Sequence, residues 1–382
     1  MTYDVIIVGA GSVGVPTAMS LAELGLKPLV IDMHPSPGQG ENKHAIGGIR
    51  ATHSTPGKIL TCLRSLEIFA GWQQRHGDDI EWVKGGYVYP VYGPQDEQLL
   101  KGLLPVQKKY GLNIKYVGPQ TIKTWIPGIN PDGLRGGTVS PDDGTISPLL
   151  SVNAFYKQAL KLGAEFRFKE KITQILCDRG RVTGVATDKG RYSTEVVVDA
   201  AGPFSAELAK TVNVQLPMTS DSHEGAVTEP VQPFFACMVV DIRPAPGSKN
   251  YYFYQNRHGQ VVFCITPDPP IIGKDKRETS VFLPQVCTRM VQLLPRLKNL
   301  RVRRTWRGLY PLTPDGSPLV GWNRQAAGLL HASGMGGQGL MLAPGISEVV
   351  ARMIVGQSTE RDKIILREFS PYRKFEGQEV LK

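Results

Sequence analysis

The chain opens on a strand-like run, residues 3–8 (YDVIIV), whose last four residues are all apolar. It leads through a glycine-rich turn, residues 9–14 (GAGSVG), into the helix-like stretch 15–24. Buried parallel strands read as continuous apolar runs, so this pattern predicts a strand, a tight turn and a helix in succession. In that context the G-x-G-x-x-G spacing is the fingerprint of a dinucleotide-binding βαβ unit. The alternative is a glycine-rich turn in an unrelated α/β domain.

Each glycine of the turn has its own role in such a unit. Gly9 permits the tight turn, Gly11 lets the backbone approach a pyrophosphate, and Gly14 lets the helix pack on the strand. A second strand-like run, residues 28–31, ends in Asp32, which is where a carboxylate binds a ribose hydroxyl. The opening of the chain therefore predicts a nucleotide cofactor.

Segments of similar texture recur far along the chain. Residues 329–334 form a strand-like run that ends in a glycine-rich loop, and residues 194–202 form a buried run that ends in small residues. The periodicity further predicts helices over 151–162 and 346–355 and strands over 172–177, 182–187 and 192–199. Three strand ends would then meet at one cofactor, which predicts a nucleotide-binding domain assembled from separated pieces.

The segments between these pieces are different. Residues 80–140 and 215–300 are rich in aromatic and β-branched residues and in Asp-Gly turns, as expected of an antiparallel sheet with covering helices. We therefore predict an α/β fold: a discontinuous Rossmann-like domain of the glutathione-reductase type with an inserted antiparallel-sheet α+β substrate domain. The predicted nucleotide-binding pieces are 1–79, 146–214 and 306–382, and the substrate-domain pieces are 80–145 and 215–305.

Length and composition agree with a two-domain globular enzyme. The chain has 382 residues, of which 41% are hydrophobic and 20% charged, and no apolar stretch is long enough to span a membrane. Only two residues precede the first strand, which leaves no room for a secretory signal and predicts a cytoplasmic location. The five cysteines are widely spaced without a C-x-x-C pair, so we expect neither a disulfide framework nor a metal site.

The net charge of +10 has two interpretations. It suits an anionic cofactor, a carboxylate substrate or an acidic partner, and it equally suits a solvated surface. No compact basic patch interleaved with aromatic residues suggests nucleic-acid binding. The densest basic cluster, Arg301, Arg303, Arg304 and Arg307, alternates as on a strand face and predicts a solvated or partner-facing edge.

Four motifs in order resemble those of the flavin-dependent amino acid and amine oxidoreductases, the family of D-amino acid oxidase, glycine oxidase, sarcosine oxidase and the dye-linked proline dehydrogenases. They are GAGSVG with Asp32, residues 197–209 (VVDAAGPFSAELA), residues 313–321 (TPDGSPLVG) and residues 333–348 (SGMGGQGLMLAPGISE). The resemblance covers nearly the whole chain. It implies that the cofactor is FAD and not NAD.

Within that family the chain most resembles the catalytic β subunits of multi-subunit dehydrogenases acting on proline, hydroxyproline, sarcosine or related amino acids. Residues 47–53 (GGIRATH), 303–316 (RRTWRGLYPLTPDG) and 337–344 (GQGLMLAP) carry this likeness. The resemblance implies other dehydrogenase subunits as partners, and it allows an FMN or an iron–sulfur centre at or in them. No cysteine lies between residues 301 and 382, so the covalent flavin attachment of monomeric sarcosine oxidase has no counterpart, and we expect non-covalent FAD.

The resemblance also implies a set of cofactor-binding residues. They belong to the opening fingerprint, the second strand end, the 40–48 loop, the middle strands and the late glycine loop. The set is Gly9, Gly11, Ser12, Val13, Gly14, Asp32, Met33, Gly40, Asn42, Lys43, His44, Gly47, Gly48, Ile172, Ala200, Ala201, Gly202, Gly308, Gly334, Gly336, Gly337, Gln338, Gly339 and Leu340.

For the substrate, the first requirement is a cation that holds the carboxylate. Glycine oxidase and D-amino acid oxidase place an arginine in the tract before TPDG, but this chain has Tyr310 there. Arg50 is then the best candidate, since it follows two glycines and related sarcosine oxidases carry an arginine in the equivalent loop. A guanidinium can hold a carboxylate through two parallel hydrogen bonds. The alternative is a structural arginine paired with an acidic side chain.

Four further residues complete the predicted site. Tyr252 and Tyr254 alternate on one strand face and either present hydroxyls to the substrate or serve as packing residues, with Tyr252 the better match to the family's substrate-contacting tyrosine. His53 is a candidate acceptor for the proton of the substrate ammonium, or a surface or capping histidine. Gln338 lies in the late glycine loop, where backbone N–H groups and a helix N-terminus would stabilise the reduced flavin.

The sequence thus predicts an FAD-dependent dehydrogenase that oxidises the C–N bond of a small secondary amino acid by hydride transfer, as one subunit of a hetero-oligomer. Two alternatives stay open. One is a stand-alone oxidase of the glycine or sarcosine oxidase kind, which passes electrons to oxygen and forms hydrogen peroxide. The other is a flavoprotein subunit kept for electron relay or assembly, without substrate turnover of its own.

Overall fold

The computed structural model describes residues 2–381. The β-strands, in chain order, are β1 Val5–Val8, β2 Pro28–Ile31, β3 Gly48–Ile49, β4 Tyr87–Val91, β5 Lys115–Val117, β6 Gly136–Ser140, β7 Gly144–Thr145, β8 Glu165–Arg167, β9 Ile172–Asp178, β10 Arg181–Thr187, β11 Arg191–Ser193, β12 Val197–Asp199, β13 Thr219–Thr228, β14 Met238–Asp241, β15 Ser248–Gln255, β16 Val261–Pro267, β17 Val302–Leu312, β18 Leu319–Trp322 and β19 Leu329–Ser333.

The α-helices are α1 Gly14–Glu23, α2 Pro56–Ala70, α3 Trp72–His76, α4 Pro94–Lys109, α5 Pro119–Trp125, α6 Pro148–Lys161, α7 Ser205–Lys210, α8 Phe282–Leu293, α9 Gly339–Ile354 and α10 Glu360–Phe369. Short 3-10 helices span Glu41–His44, Gly202–Phe204, Pro295–Asn299 and Gly336–Gln338. No helix of residues 2–381 combines the length and the apolarity needed to cross a bilayer.

A six-stranded sheet forms the nucleotide-binding half, in the order β18-β19-β12-β1-β2-β8. All its neighbours pair in parallel except β18 with β19. The strands β1, β2, β12 and β19 are buried at every position, because helices such as α1 and α9 cover one face and the β9–β11 sheet lies against the other. This double burial explains the unbroken apolar runs in the sequence. The predicted Rossmann-like architecture is confirmed.

The second half is built on an eight-stranded sheet, in the order β17-β13-β16-β15-β14-β4-β6-β5. Its pairs are antiparallel except β14 with β4. Its strands come from residues 87–140 and 219–312. Along the chain, these two stretches alternate with the stretches that form the six-stranded sheet, as expected of an inserted domain. The five-piece division of the chain given above stays a prediction.

Some element predictions were wrong. Residues 192–199 are not one strand, because the chain leaves the three-stranded sheet after Ser193 and enters the parallel sheet at Val197. Thr194 stabilises this turn by accepting a hydrogen bond from the Val196 amide at 3.2 Å. The helix predicted over 346–355 is longer and spans Gly339–Ile354, because Pro344 lies within its buried N-terminal half without breaking it.

The predicted basic edge is partly correct. The strand β17 is an edge of the large sheet, and Arg303 and Arg304 on it are exposed, as is Arg301 just before it. Arg307 does not belong to this surface, because its side chain is buried and donates a hydrogen bond to the Arg277 carbonyl at 2.7 Å.

Candidate active site

A cavity of about 830 Å³ lies between the two sheets, at the carboxyl ends of the parallel strands. Ligands in open α/β sheets bind at this edge, where loops from several strands meet. The late glycine loop, the 40–48 loop and the sheet face of β13, β15 and β17 form its walls. Of the predicted cofactor residues, all line this cavity except Gly14 and Lys43.

The glycine fingerprint has the geometry that a pyrophosphate needs. Gly9 adopts a positive φ of 103° at the end of β1, and a Cβ on Gly14 would lie 1.8 Å from the Gly9 carbonyl oxygen, so only glycine allows this close packing. A Cβ on Gly11 would meet no atom within 4 Å and would project into open space. The Asp32 carboxylate accepts hydrogen bonds from the Ala10 amide at 2.6 Å and the His34 amide at 2.7 Å, which fixes it at the end of β2.

Two buried acceptors on the cavity wall lack a hydrogen-bond partner among the described residues. They are Gln338 Oε1, in the late glycine loop, and Asn42 Oδ1, in the 40–48 loop. Buried polar atoms are normally paired, so a ligand with hydrogen-bond donors at these two places would complete the site. The open face at Gly11, the Asp32 carboxylate and these two oxygens fit a large nucleotide cofactor.

The substrate end of the cavity is built on the large sheet. Tyr252 on β15 and Tyr310 on β17 both line it, and their hydroxyl oxygens lie 2.8 Å apart. Burial raises the pKa of both phenols well above the usual value, so both hydroxyls stay protonated. One hydroxyl proton is used between the two phenols, and the Cys264 thiol contacts both hydroxyls. The second proton therefore faces either that sulfur, which is a weak acceptor, or an anionic ligand in the cavity, which is a stronger one.

A histidine that the sequence interpretation missed supports this pair. The His223 ring stacks on Tyr310, with ring centroids 3.8 Å apart and planes at 22°. Its Nε2 lies 2.9 Å from Asp221 Oδ2, and although burial acts to raise it, this contact keeps the pKa of Asp221 below its usual value. Both residues line the cavity. Their spacing at i and i+2 on a strand was the available signal, because such residues share one face of the sheet.

Arg50 lies on the cavity wall after β3, and its side chain is 5% exposed. Its guanidinium donates to the Thr52 carbonyl and, at 2.5 Å, to the Leu381 carbonyl. Among residues 2–381, no carboxylate oxygen lies within 4 Å of it. Among the described residues, Arg50 therefore forms no direct ion pair with an acidic side chain and is held by two backbone carbonyls instead.

The structure does not bring His53 or Tyr254 to this cavity. His53 is fully buried behind Arg50, with its Nδ1 3.2 Å from Arg50 Nη1. Burial and the charges of Arg50 and Lys58 lower the pKa of His53 well below its usual value. Tyr254 donates a hydrogen bond to the Ile46 carbonyl at 2.6 Å and lines a separate cavity of about 230 Å³, which Lys43 also lines.

Residues 4–353 match the family described as DAO, FAD dependent oxidoreductase. The chain belongs to this family.

Relatives with known names agree with the assignment to this FAD-dependent family. The chain is 26% identical over 370 residues to glycine oxidase from Pseudomonas aeruginosa, covering 94% of this chain and 96% of that protein. It is 23% identical over 385 residues to mitochondrial sarcosine dehydrogenase from Mus musculus, covering 94% of this chain but 40% of that protein. The chain thus spans well under half the length of that relative.

A solved structure agrees over the whole chain. The crystal structure of L-proline dehydrogenase from P. horikoshii has a TM-score of 0.91 and 26% sequence identity, and the match covers 97% of both chains. The chain thus has the fold of that structure, and its cavity fits the FAD cofactor that the family description names.

Proposed function

We propose that this flavoprotein is a dehydrogenase that oxidises the C–N bond of a small secondary amino acid, such as proline, hydroxyproline or sarcosine. The observation that carries the proposal is the buried Arg50 guanidinium on the cavity wall, with no carboxylate partner within 4 Å among the described residues. Buried charges are normally paired, so an anionic ligand would complete this site. An amino acid substrate supplies such an anion.

The other residues of the wall act on the same ligand. When bound, FAD supplies the acceptor for the hydride that leaves the carbon beside the nitrogen. Tyr252 and Tyr310, joined at 2.8 Å, offer one hydroxyl proton to the substrate carboxylate. His223, held by Asp221, keeps the Tyr310 ring in place and stands at the substrate end of the cavity, which His53 does not reach. Arg50 and the tyrosine pair would together orient the substrate for transfer.

The hetero-oligomeric part of the proposal rests on the surface. The exposed Arg301, Arg303 and Arg304 lie at the edge strand β17, and clustered cations at an edge favour an acidic partner surface. A partner would carry the next electron acceptor, for which FMN and an iron–sulfur centre are the candidates. The likeness to a proline dehydrogenase over 97% of both chains supports the dehydrogenase part of the proposal.

One alternative has its own support. The match to glycine oxidase covers 96% of that protein, which favours a self-contained oxidase that reduces oxygen to hydrogen peroxide. A relay or assembly subunit without turnover is less well supported, because Arg50 and the tyrosine pair place a buried cation and two hydroxyls on the cavity wall.

The test is anaerobic flavin bleaching of the purified holoprotein with L-proline, D- and L-hydroxyproline, sarcosine and glycine. We expect rapid bleaching by a secondary amino acid and slow bleaching by glycine. The ratio of dye reduction to oxygen consumption, at saturating substrate, then separates dehydrogenase from oxidase. Oxygen consumption as fast as dye reduction would favour the oxidase, and no bleaching by any of the five would favour the relay subunit.

A further inference from the structure

Residues 376–381 pass behind Arg50, and two of them are buried. Glu379 and Leu381 are each 2% exposed, whereas Glu376 and Val380 are exposed. Leu381 packs in the apolar cluster of Tyr87 and Tyr89, both of which line the active-site cavity. This segment, here called the 376–381 strap, therefore lies directly behind the wall that carries Arg50.

The Glu379 carboxylate holds the strap to the loop after Arg50. Its Oε1 accepts hydrogen bonds from the Ser54 amide at 3.0 Å, the Ser54 hydroxyl at 2.7 Å and the Leu381 amide at 3.0 Å. Its Oε2 lies 3.5 Å from Lys58 Nζ and 3.7 Å from His53 Nδ1. A carboxylate buried to this extent is stable only with such partners.

The strap reaches the guanidinium through the backbone. The Leu381 carbonyl accepts a hydrogen bond from Arg50 Nη2 at 2.5 Å, and the Thr52 carbonyl accepts one from Nη1. Two fixed acceptors on different segments define the plane of the guanidinium, which is rigid and flat. Glu379 bonds Leu381, which carries one of these acceptors, and Ser54, which lies two residues after Thr52, and it does not contact Arg50 itself.

We propose that Glu379 is a positioning residue for Arg50: through the 376–381 strap it orients the guanidinium towards the substrate carboxylate. The proposal rests on the proposed function, in which Arg50 binds that carboxylate. On this proposal, the cavity prefers anionic to neutral ligands because the strap keeps Arg50 directed into it. An arginine turned away from the cavity would no longer discriminate between the two kinds of ligand.

The test compares Glu379→Gln with the matched control Glu376→Gln, an exposed glutamate of the same strap. Binding of pyrrole-2-carboxylate and of its neutral amide, pyrrole-2-carboxamide, is measured by calorimetry on the FAD-loaded protein. In Glu379→Gln we expect carboxylate affinity to fall about tenfold while amide affinity stays unchanged, since a misplaced group loses binding energy only to the ligand it would contact. Glu376→Gln should match the unmodified chain.

Further variants separate the possible failures. Ser54→Ala removes one bond to Glu379 and should weaken carboxylate binding in the same direction but less, which keeps the test open if Glu379→Gln does not fold. Equal loss of carboxylate and amide affinity in both variants would overturn the positioning role, because general damage affects both ligands. Discrimination that survives in Arg50→Ala would instead overturn the role of Arg50 in the proposed function, because the carboxylate would then bind elsewhere on the cavity wall. Discrimination lost in Arg50→Ala but kept in Glu379→Gln would overturn the strap proposal alone.

Discussion

The hydroxyl oxygens of Tyr252 and Tyr310 lie 2.8 Å apart, although the two residues stand on β15 and β17 and two strands of the sheet separate them. Cys264 on β16 lies between the two tyrosines, contacts both hydroxyls and also lines the cavity. Because its side chain is small, the two longer phenols can meet. This contact turns one wall of the cavity into a hydrogen-bond donor.

We expect the two hydroxyls to behave as one unit. Tyr252→Phe or Tyr310→Phe alone should raise the substrate KM and lower the free energy of unfolding by about 1–3 kcal/mol, because each leaves the other hydroxyl without its partner. The double variant should lose less free energy of unfolding than the two single variants together. Urea unfolding of the unmodified chain, both single variants and the double variant gives the coupling energy. Strict additivity would mean that the bond contributes nothing.

Gly11→Val should produce a folded protein without flavin. A Cβ there meets no protein atom within 4 Å but projects into the space where a pyrophosphate would approach. Circular dichroism should match the unmodified chain, while the absorption of bound flavin should be lost. The matched control is Gly102→Val, at an exposed helical glycine with equally open surroundings, which should keep its flavin. Full flavin content in Gly11→Val would contradict the assignment of the pyrophosphate site.

Arg50→Ala should raise the substrate KM or abolish turnover while the flavin spectrum stays intact. Truncating a buried, charge-assisted partner of the substrate carboxylate costs about 2–5 kcal/mol. Arg50→Lys should recover only part of the loss, since a point charge lacks the planar fork of a guanidinium. Steady-state kinetics together with flavin content decide the question. Near-normal kinetics in Arg50→Ala would move the carboxylate site to Tyr252 and Tyr310.

Lys58 should make stability depend on alkaline pH. Burial lowers the pKa of this lysine from 10.5 to about 8, so between these values the folded chain binds fewer protons than the unfolded chain. The Lys58 contribution to stability therefore rises with pH over this window, by roughly 3 kcal/mol. Urea unfolding from pH 7.5 to 10.5 should show that the free energy of unfolding of the unmodified chain rises relative to that of Lys58→Met. A constant difference between the two would mean that the pKa of Lys58 is not lowered.

Charge reversal at the β17 edge should weaken subunit association. We expect Arg303→Glu combined with Arg304→Glu to lose co-purification with subunits encoded by neighbouring genes, while substrate-driven bleaching of the isolated chain is unchanged, because both residues are exposed and outside the cavity wall. The control is Lys189→Glu, an exposed cation in the turn after β10. Equal complex formation by all variants would move the docking surface elsewhere.

The nucleotide-binding features were predictable because they are local. A strand, a glycine turn and a helix occupy neighbouring positions, so their spacing alone specifies the backbone geometry at Gly9, Gly11 and Gly14. Asp32 and the late glycine loop follow from the same rule, since each ends a buried strand whose apolar run is continuous in the sequence. These segments could therefore be assigned to one cofactor before their pairing was known.

The substrate side was decided by the tertiary structure. Whether Tyr252 meets Tyr310 depends on the order of four strands, and His223 rather than His53 reaches the cavity because β13 lies beside β17 while His53 is covered by Arg50 and the strap. Arg307 belongs to a cluster that the sequence assigns to a solvated or partner-facing edge, but its side chain is buried and bonds the distant Arg277 carbonyl. Contacts between side chains of distant segments have no local pattern, whereas the backbone turn that binds a phosphate does.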